Sequence, residues 1–316
     1  MRMRLGQAWP VFLLAGAATA TGCAFAAGLG WPFELFVHFR PQYVALSLVL
    51  LVASALMRRP AAALMAFGLV IANAAPLAWR AQATAEPARC AKPAFRVVTA
   101  NVQFGNVDHR RFLAWLATHP ADLIVVQEVT AAWQADLGAL GDYPYHVMIA
   151  REDPYGIGVL SRWPIRDPRS VDLAGDGLPS LTGWVDLPSG PLRFLALHTH
   201  WPITPALVRS RDRALAAAAR LARDRSGPIV VLGDLNATRS SPVYATFVRA
   251  SGLRDAAAGR TWQPTWMAGF WPIALGIDYV FVSVDLCVAR EGVGPAIGSD
   301  HRPVYAGLAL APATRR

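Results

Sequence analysis

The sequence predicts a mixed α/β (α+β) layered domain preceded by three apolar helices. Three observations point there. Residues 1–80 are dominated by Ala, Leu, Val, Phe and Gly with few charges, while the rest has the dispersed charges of a globular domain. In that remainder, strand-like runs outnumber helical ones. Turn-linked strand pairs alternate with strand–helix–strand units, unlike a simple doubly wound sheet.

The apolar region comprises runs at about 9–29, 41–57 and 61–79, near the roughly 20 residues a helix needs to cross a bilayer. Arg40-Pro41 and Arg58-Arg59-Pro60 punctuate it as short loops. Arg2 and Arg4 precede the first run, and Arg58 and Arg59 follow the second. If all three runs cross, both clusters fall on one side, which the positive-inside rule makes cytoplasmic. The expectation is a multi-pass inner-membrane protein with its globular domain outside, periplasmic in a bacterium. Arg80, Arg89 and Lys92 pull mildly the other way. A rival reading takes the first run as a signal peptide ending near Ala20-Thr21-Gly22-Cys23. It leaves the globular domain on the same side. Residues 81–94, rich in Ala and Pro, read as a linker.

The domain at 95–312 can be followed element by element. Residues 95–101 (FRVVTAN) have the β-branched content of a buried strand, and 107–118 carry apolar positions at helical spacing. Residues 123–126 form a wholly apolar strand, and 131–140 a helix. Residues 145–150 and 156–160 pair, as do 183–187 and 192–198 across a Pro-Ser-Gly turn. A long Ala/Arg/Leu helix covers 204–224. Residues 228–232 (PIVVL) form a buried strand and 241–250 a helix, and 277–282 and 304–308 are strands.

The chain has 316 residues, a mean hydropathy of +0.32 and a net charge of +9. Of that charge, +5 belongs to residues 1–91 and +4 to the rest, so the globular part is only mildly basic. No Lys/Arg block forms a nucleic-acid stripe. The cysteines, Cys23, Cys90 and Cys287, match no zinc spacing. Cys90 and Cys287 either pair in an oxidising compartment or stay as two thiols.

Five short motifs carry the chemistry, each beside a strand-like run: Ala100-Asn101, Gln127-Glu128, Gly233-Asp234-Leu235-Asn236, Ile277-Asp278-Tyr279 and Ser299-Asp300-His301. Glu128 ends a strand too apolar for a casual carboxylate, so it is a candidate ligand for a hard cation; the plain alternative is a glutamate opening the next helix. Asn101 is either a companion ligand or a turn residue. Asp234 and Asn236, two apart, share a face in extended chain; the alternative is an Asx turn. Asp278 lies in an apolar strand and needs a partner, for which His301 is the natural choice. That pairing would keep the imidazole cationic beside a phosphate. His198 and His200 end a strand and are weak candidates. His109, His119 and His146 are read as structural. Trp262, Trp266, Met267, Phe270 and Trp271 form either a packed loop or one that dips into a membrane interface.

In this order the motifs resemble the endonuclease/exonuclease/phosphatase superfamily over about 95–310. Gly156-Ile157-Gly158-Val159-Leu160-Ser161-Arg162 with Pro164-Ile165 resembles its central strand and turn. The resemblance implies a four-layer sandwich of two mixed β-sheets flanked by helices. It implies a divalent metal, Mg²⁺ or Mn²⁺, at Glu128, with Asn101 beside it and Asp300 aiding. It casts Asp234 as activator of the attacking water and Asn236 as phosphate holder. His301 becomes the phosphate-contacting histidine, oriented by Asp278, and His198 faces the leaving group; His200 has no counterpart. The expected function is a membrane-anchored phosphoesterase cleaving a phosphodiester or phosphomonoester, its partners being that substrate and the bilayer. A nuclease, a lipid-headgroup phosphodiesterase resembling sphingomyelinases, and a catalytically inactive tethered binding domain are the alternatives.

Overall fold

The computed structural model describes residues 9–83, 85–224, 226–259 and 262–311. Arg2, Arg4, the side chain of Arg80, residue 84 of the expected linker and residue 312 lie outside the described residues.

The N-terminal region is a bundle of α1 (Trp9–Phe25), a short α2 (Glu34–Val37), α3 (Arg40–Leu56) and α4 (Pro60–Ala83). Val11–Leu29 and Pro60–Trp79 are long and apolar enough to cross a membrane by length and composition. The expected middle span is shorter, with α3 at 17 residues. Leu14, Ala17, Leu50, Ala66 and Leu69 pack where the three long helices meet. The bundle interior also holds polar groups. Asn73 Nδ2 donates to Thr21 Oγ1 at 2.9 Å, and Ser47 and Ser54 are fully buried. Its outer surface is apolar, with Phe12, Val49, Leu64 and Phe67 exposed.

The helix of α4 runs into the expected linker. Beyond it lies a two-residue strand, β1 (Ala88–Arg89), which the sequence did not signal. Next come β2 (Phe95–Asn101), α5 (Arg110–Thr118), β3 (Leu123–Gln127), α6 (Ala131–Gly138), β4 (Tyr145–Ile149), β5 (Ile157–Ser161), β6 (Ile165–Asp172), β7 (Pro179–Leu187) and β8 (Gly190–His198). The chain closes with α7 (Pro205–Arg223), β9 (Ile229–Asp234), α8 (Pro242–Ser251), β10 (Arg254–Asp255), β11 (Asp278–Val282), β12 (Leu286–Val293) and β13 (Val304–Leu310). Thr130, Thr204 and Ser241 cap α6, α7 and α8 by accepting from backbone N–H groups in the first turn.

Two mixed sheets result. One has the order β1-β12-β13-β2-β3-β5-β4 and the other β10-β11-β9-β8-β7-β6. Their facing sides bury Val97, Val125, Val159, Phe194, Val230 and Val280. The first sheet's outer face packs Ile124 and Val126 against Phe112, Trp133 and Leu137 of α5 and α6. The second packs Val231 and Phe281 against Leu215 and Phe247 of α7 and α8. This is the four-layer sandwich. Cys90 and Cys287 form a disulfide with Cα atoms 5.6 Å apart, pinning the entry to the domain onto β12.

Candidate functional site

Register brings the motifs together. The parallel pair β2–β3 sets Asn101 beside Gln127, the parallel pair β8–β9 sets His198 beside Asp234, and antiparallel β9–β11 sets Asp278 opposite Asp234. The ends of four strands and the start of a fifth thus meet at one edge of both sheets. The loop carrying Ser299-Asp300-His301 joins them, with Ser299 Oγ donating to Asn101 O at 2.8 Å.

Two backbone features build this edge. Gly233 has φ +148°, and a Cβ there would overlap the Leu197 carbonyl oxygen, so glycine lets β9 approach β8 just before Asp234. Glu128 has φ +64°, a left-handed conformation unfavourable for glutamate. The turn aims its carboxylate back over the strand ends, a strain of the kind found at functional sites.

Asn101 Nδ2 donates to Glu128 Oε1 at 2.9 Å and to Asp234 Oδ2 at 3.3 Å, while Gln103 N–H holds Asn101 Oδ1. Glu128 Oε2 accepts from Phe104 N–H. Asp234 Oδ1 accepts from Asn236 N–H at 2.8 Å, and Asn236 Nδ2 donates to Thr199 O. His301 Nδ1 lies 2.9 Å from Asp278 Oδ2, and its Nε2 lies 3.8 Å from Asp234 Oδ2. Trp266 Nε1 donates to Asp300 Oδ2. Glu128, Asp234, Asp278, Asn236, His198 and His301 are all buried.

Burial pushes the Asp234 carboxyl well above the usual range, and the Asp278 charge adds to that. Glu128 is raised by burial too, against the pull of its Phe104 and Asn101 hydrogen bonds. Burial would push His301 down, but the Asp278 carboxylate, then Asp234, hold it up at about 10. His198 goes the other way. Burial and the His301 charge bring it to about 3, so its ring is neutral. His198 Nε2 lies 3.7 Å from Asp234 Oδ2, and neither ring nitrogen has a well-formed hydrogen bond among the described residues. His200 turns away to Tyr155 OH (2.8 Å) and Asp176 Oδ2 (3.2 Å), so the two strand-end histidines do not share one ligand.

The donor set fits a divalent cation. Asp278 Oδ1 is buried without a partner, and Asp234, Asp278 and His301 offer ligand atoms within 4.8 Å of one another. With His301 protonated, its imidazolium offsets one of that triad's two carboxylates. Glu128, flanked by Asn101 and near Asp300, offers a further carboxylate whose hard oxygens could hold a metal. Asn101 presents its amide nitrogen to both carboxylates, so serving as an oxygen ligand requires the opposite amide orientation.

Sequence reasoning missed Tyr155, whose ring lies 5.6 Å from His198, and Thr265, whose Oγ1 accepts the N–H groups of Ile277 and Asp278. Tyr155 precedes Gly156 at a strand start, a position from which its side chain could have been placed near the site. Thr265 carries no such signal. His109 is structural, bonded to Asp136 and stacked on Trp133.

A sandwich with carboxylates, amides and a charged imidazole at one sheet edge defines a metal-dependent hydrolase acting on phosphoester bonds. The chain belongs to the Endonuclease/Exonuclease/phosphatase family, whose match runs over residues 98–301. It resembles the endonuclease/exonuclease/phosphatase from Beutenbergia cavernae, at 25% identity over 69% of this chain and 72% of that one, TM-score 0.57. It shares its fold with the Bacteroides vulgatus member at 22% identity over 69% and 99%, TM-score 0.59. D. rerio TDP2, solved with a single-strand DNA product, matches at 14% identity over 68% and 99%, TM-score 0.59. A search of the curated proteins found no match.

Proposed function

We propose that this chain is a membrane-anchored, Mg²⁺-dependent phosphoesterase, able to use Mn²⁺, that cleaves a phosphodiester or phosphomonoester by in-line attack of water. The convergence of Asp234, Asp278 and His301 at one sheet edge carries the reading. Asp234, raised by burial and fixed by Asn236 N–H, is suited to take a proton from water. His301, kept cationic by Asp278, stabilises charge growing on the phosphoryl oxygens. Asn236, tied to Thr199, helps hold the phosphate. His198 is neutral, so it contributes a hydrogen bond to the leaving oxygen and not a ready proton. A divalent cation held by Glu128, with Asn101 and Asp300 adjoining, would neutralise phosphate charge.

Three observations support membrane anchoring with the domain outside. The bundle exposes large apolar side chains and buries Thr21, Ser47, Ser54 and Asn73 beside its apolar core, the distribution a hydrocarbon surround favours. The Arg58-Arg59 turn is at the bundle end opposite the α1–α3 segment, which touches the domain. The Cys90–Cys287 disulfide suits an oxidising compartment. Protection of the domain from protease in spheroplasts would overturn this placement.

Purified full-length protein should hydrolyse bis(p-nitrophenyl) phosphate with Mg²⁺ and stop with chelator. Asp234→Ala and His301→Ala should each abolish turnover with the circular dichroism spectrum unchanged. Substantial activity in either variant would sink the mechanism.

A further inference from the structure

The bundle meets the catalytic domain at the end of the sandwich that carries the site. Glu34 accepts from Arg211 Nη2 at 2.8 Å and from Ser241 Oγ at 2.7 Å. His38 Nδ1 lies 2.9 Å from Thr238 Oγ1, and Gln42 Nε2 donates to Ala274 O at 2.8 Å. Each docking point on the domain adjoins a strand that ends or begins at the site. Arg211 lies in the first turns of α7, which follows His198. Thr238 and Ser241 follow Asn236, and Ala274 precedes Asp278. On the bundle side all these groups lie between residues 34 and 42, where α1 has ended and α3 begins. If the long helices cross a bilayer, that segment lies at its surface. The mouth of the site is therefore held about one loop away from the headgroups.

The loops next to the site expose large apolar side chains. Phe104, whose N–H holds Glu128, is exposed. Trp201 and Ile203, between His200 and α7, are exposed as well. Phe270 and Trp271 are 56% and 50% exposed at the tip of a loop anchored at both ends, by Trp266 on Asp300 and by Ala274 on Gln42. So many large side chains left open on the loops next to the site residues mark an interaction surface. Tryptophan and its kin favour the membrane–water boundary. The globular part carries a net charge of only +4 and no Lys/Arg block to track a phosphate backbone from solution.

Building on the phosphoesterase reading, we propose that the active-site mouth faces the bilayer, with its aromatic rim in the headgroup layer. The substrate is then an amphiphilic phosphodiester drawn from that same bilayer. Hydrolysis adds water across one P–O bond, leaving a phosphomonoester on one product and an alcohol on the other.

The test uses the full chain in phosphatidylglycerol vesicles with Mg²⁺, supplied in parallel with bis(p-nitrophenyl) phosphate and a single-stranded DNA oligonucleotide. The lipid should be cleaved at least about tenfold faster than the oligonucleotide at equal phosphodiester. A Phe270→Ser/Trp271→Ser double variant should lose about tenfold or more on the vesicle lipid while the soluble diester is turned over as before. Brominated lipids should quench a fluorescence component that Trp271→Phe removes. Aromatic side chains also stack bases, so cleavage of the oligonucleotide with the lipid left intact overturns the proposal. Equal loss on lipid and soluble diester, or no Trp271 quenching, overturns it too. Failure to cleave the soluble diester removes the phosphoesterase reading instead, and the quenching result still decides which way the mouth faces.

Discussion

Replacing Asp278 by Asn keeps the shape of the site but removes the charge that holds His301 protonated. The imidazole sits at about 10 against an ordinary 6.5. At about 1.4 kcal/mol per pH unit, the neighbouring carboxylates outweigh burial by on the order of 5 kcal/mol in favour of the charged ring. Asp278 is the closer partner, hydrogen-bonded at 2.9 Å where Asp234 stands off at 3.8 Å. Without its charge, burial prevails and the ring should be neutral at physiological pH. Losing one preorganised charge-stabilising group typically costs about 10²–10³ in kcat. Turnover of bis(p-nitrophenyl) phosphate by Asp278→Asn near pH 8 should fall by that factor and recover partly on acidification. The wild type should keep a charged His301 through the neutral range. Stability follows the same sign. A histidine raised in the folded state contributes fully below about 6.5 and loses that contribution as pH rises towards about 10. The urea-unfolding deficit of Asp278→Asn should therefore be largest near pH 6 and fade at alkaline pH. A variant with wild-type kcat and an unshifted pH profile would refute the reasoning.

Glu128→Gln should raise the Mg²⁺ concentration for half-maximal activity by roughly 10–100-fold, comparable to losses seen when a metal site is disturbed; a metal titration measures it. Gly233→Ala forces a Cβ into the Leu197 carbonyl and should cost more than about 3 kcal/mol in chemical denaturation. Cys90→Ser/Cys287→Ser opens a link between residues 197 apart and should lower stability by about 4–5 kcal/mol, mirrored by reductant on the wild type. Glu34→Gln removes one of the two carboxylates that pair with the buried Arg211 guanidinium, leaving Asp212, and should lower the domain's melting temperature in detergent, at roughly 1–3 kcal/mol. Burial works against the Glu34 charge, but Arg211 holds its carboxyl below the usual range, so the wild-type joint should weaken only as pH falls beneath that range.

What was legible in the sequence follows from burial. The central strands β3, β5 and β9 are buried along their whole length, so they read as apolar runs, and a polar residue at the end of such a run had to be doing something. Glu128 and Asp234 stand out this way as candidates at strand ends, and Asp278 does so at the start of the buried β11. Strand β6 was missed because Ile165–Asp172 is an exposed edge whose Arg166 and Arg169 show no apolar alternation. Strand β12 was missed because Arg290 and Glu291 interrupt its pattern. Contacts across long separations left no local trace. The Asn101–Asp234 hydrogen bond and the Glu34–Arg211 ion pair exist only once tertiary structure forms. Within the expected linker, β1 leaves no local trace for the same reason, since it is a strand only beside β12.

Two regions of the molecule keep polar groups where burial makes them costly, and the contrast between them is informative. At the site, three buried carboxylates on Glu128, Asp234 and Asp278 face one imidazolium, with amide and backbone donors offsetting part of the remaining charge. The excess is negative and sits on hard oxygens, which is the donor set a divalent cation satisfies. In the bundle, Asn73, Thr21 and Arg40 bond one another or backbone carbonyls in the interior while Phe12, Leu64 and Phe67 face outward. These polar groups lie beside the apolar core of Leu14, Leu50 and Leu69. The segment from Glu34 to Gln42 joins the two regions with its own buried carboxylate, imidazole and amide. Charge placed at such a joint resists sliding, because displacement breaks the Glu34–Arg211 pair and leaves the buried guanidinium with Asp212 alone. The orientation of the site relative to the bundle is thereby fixed by the same physics that makes the site reactive.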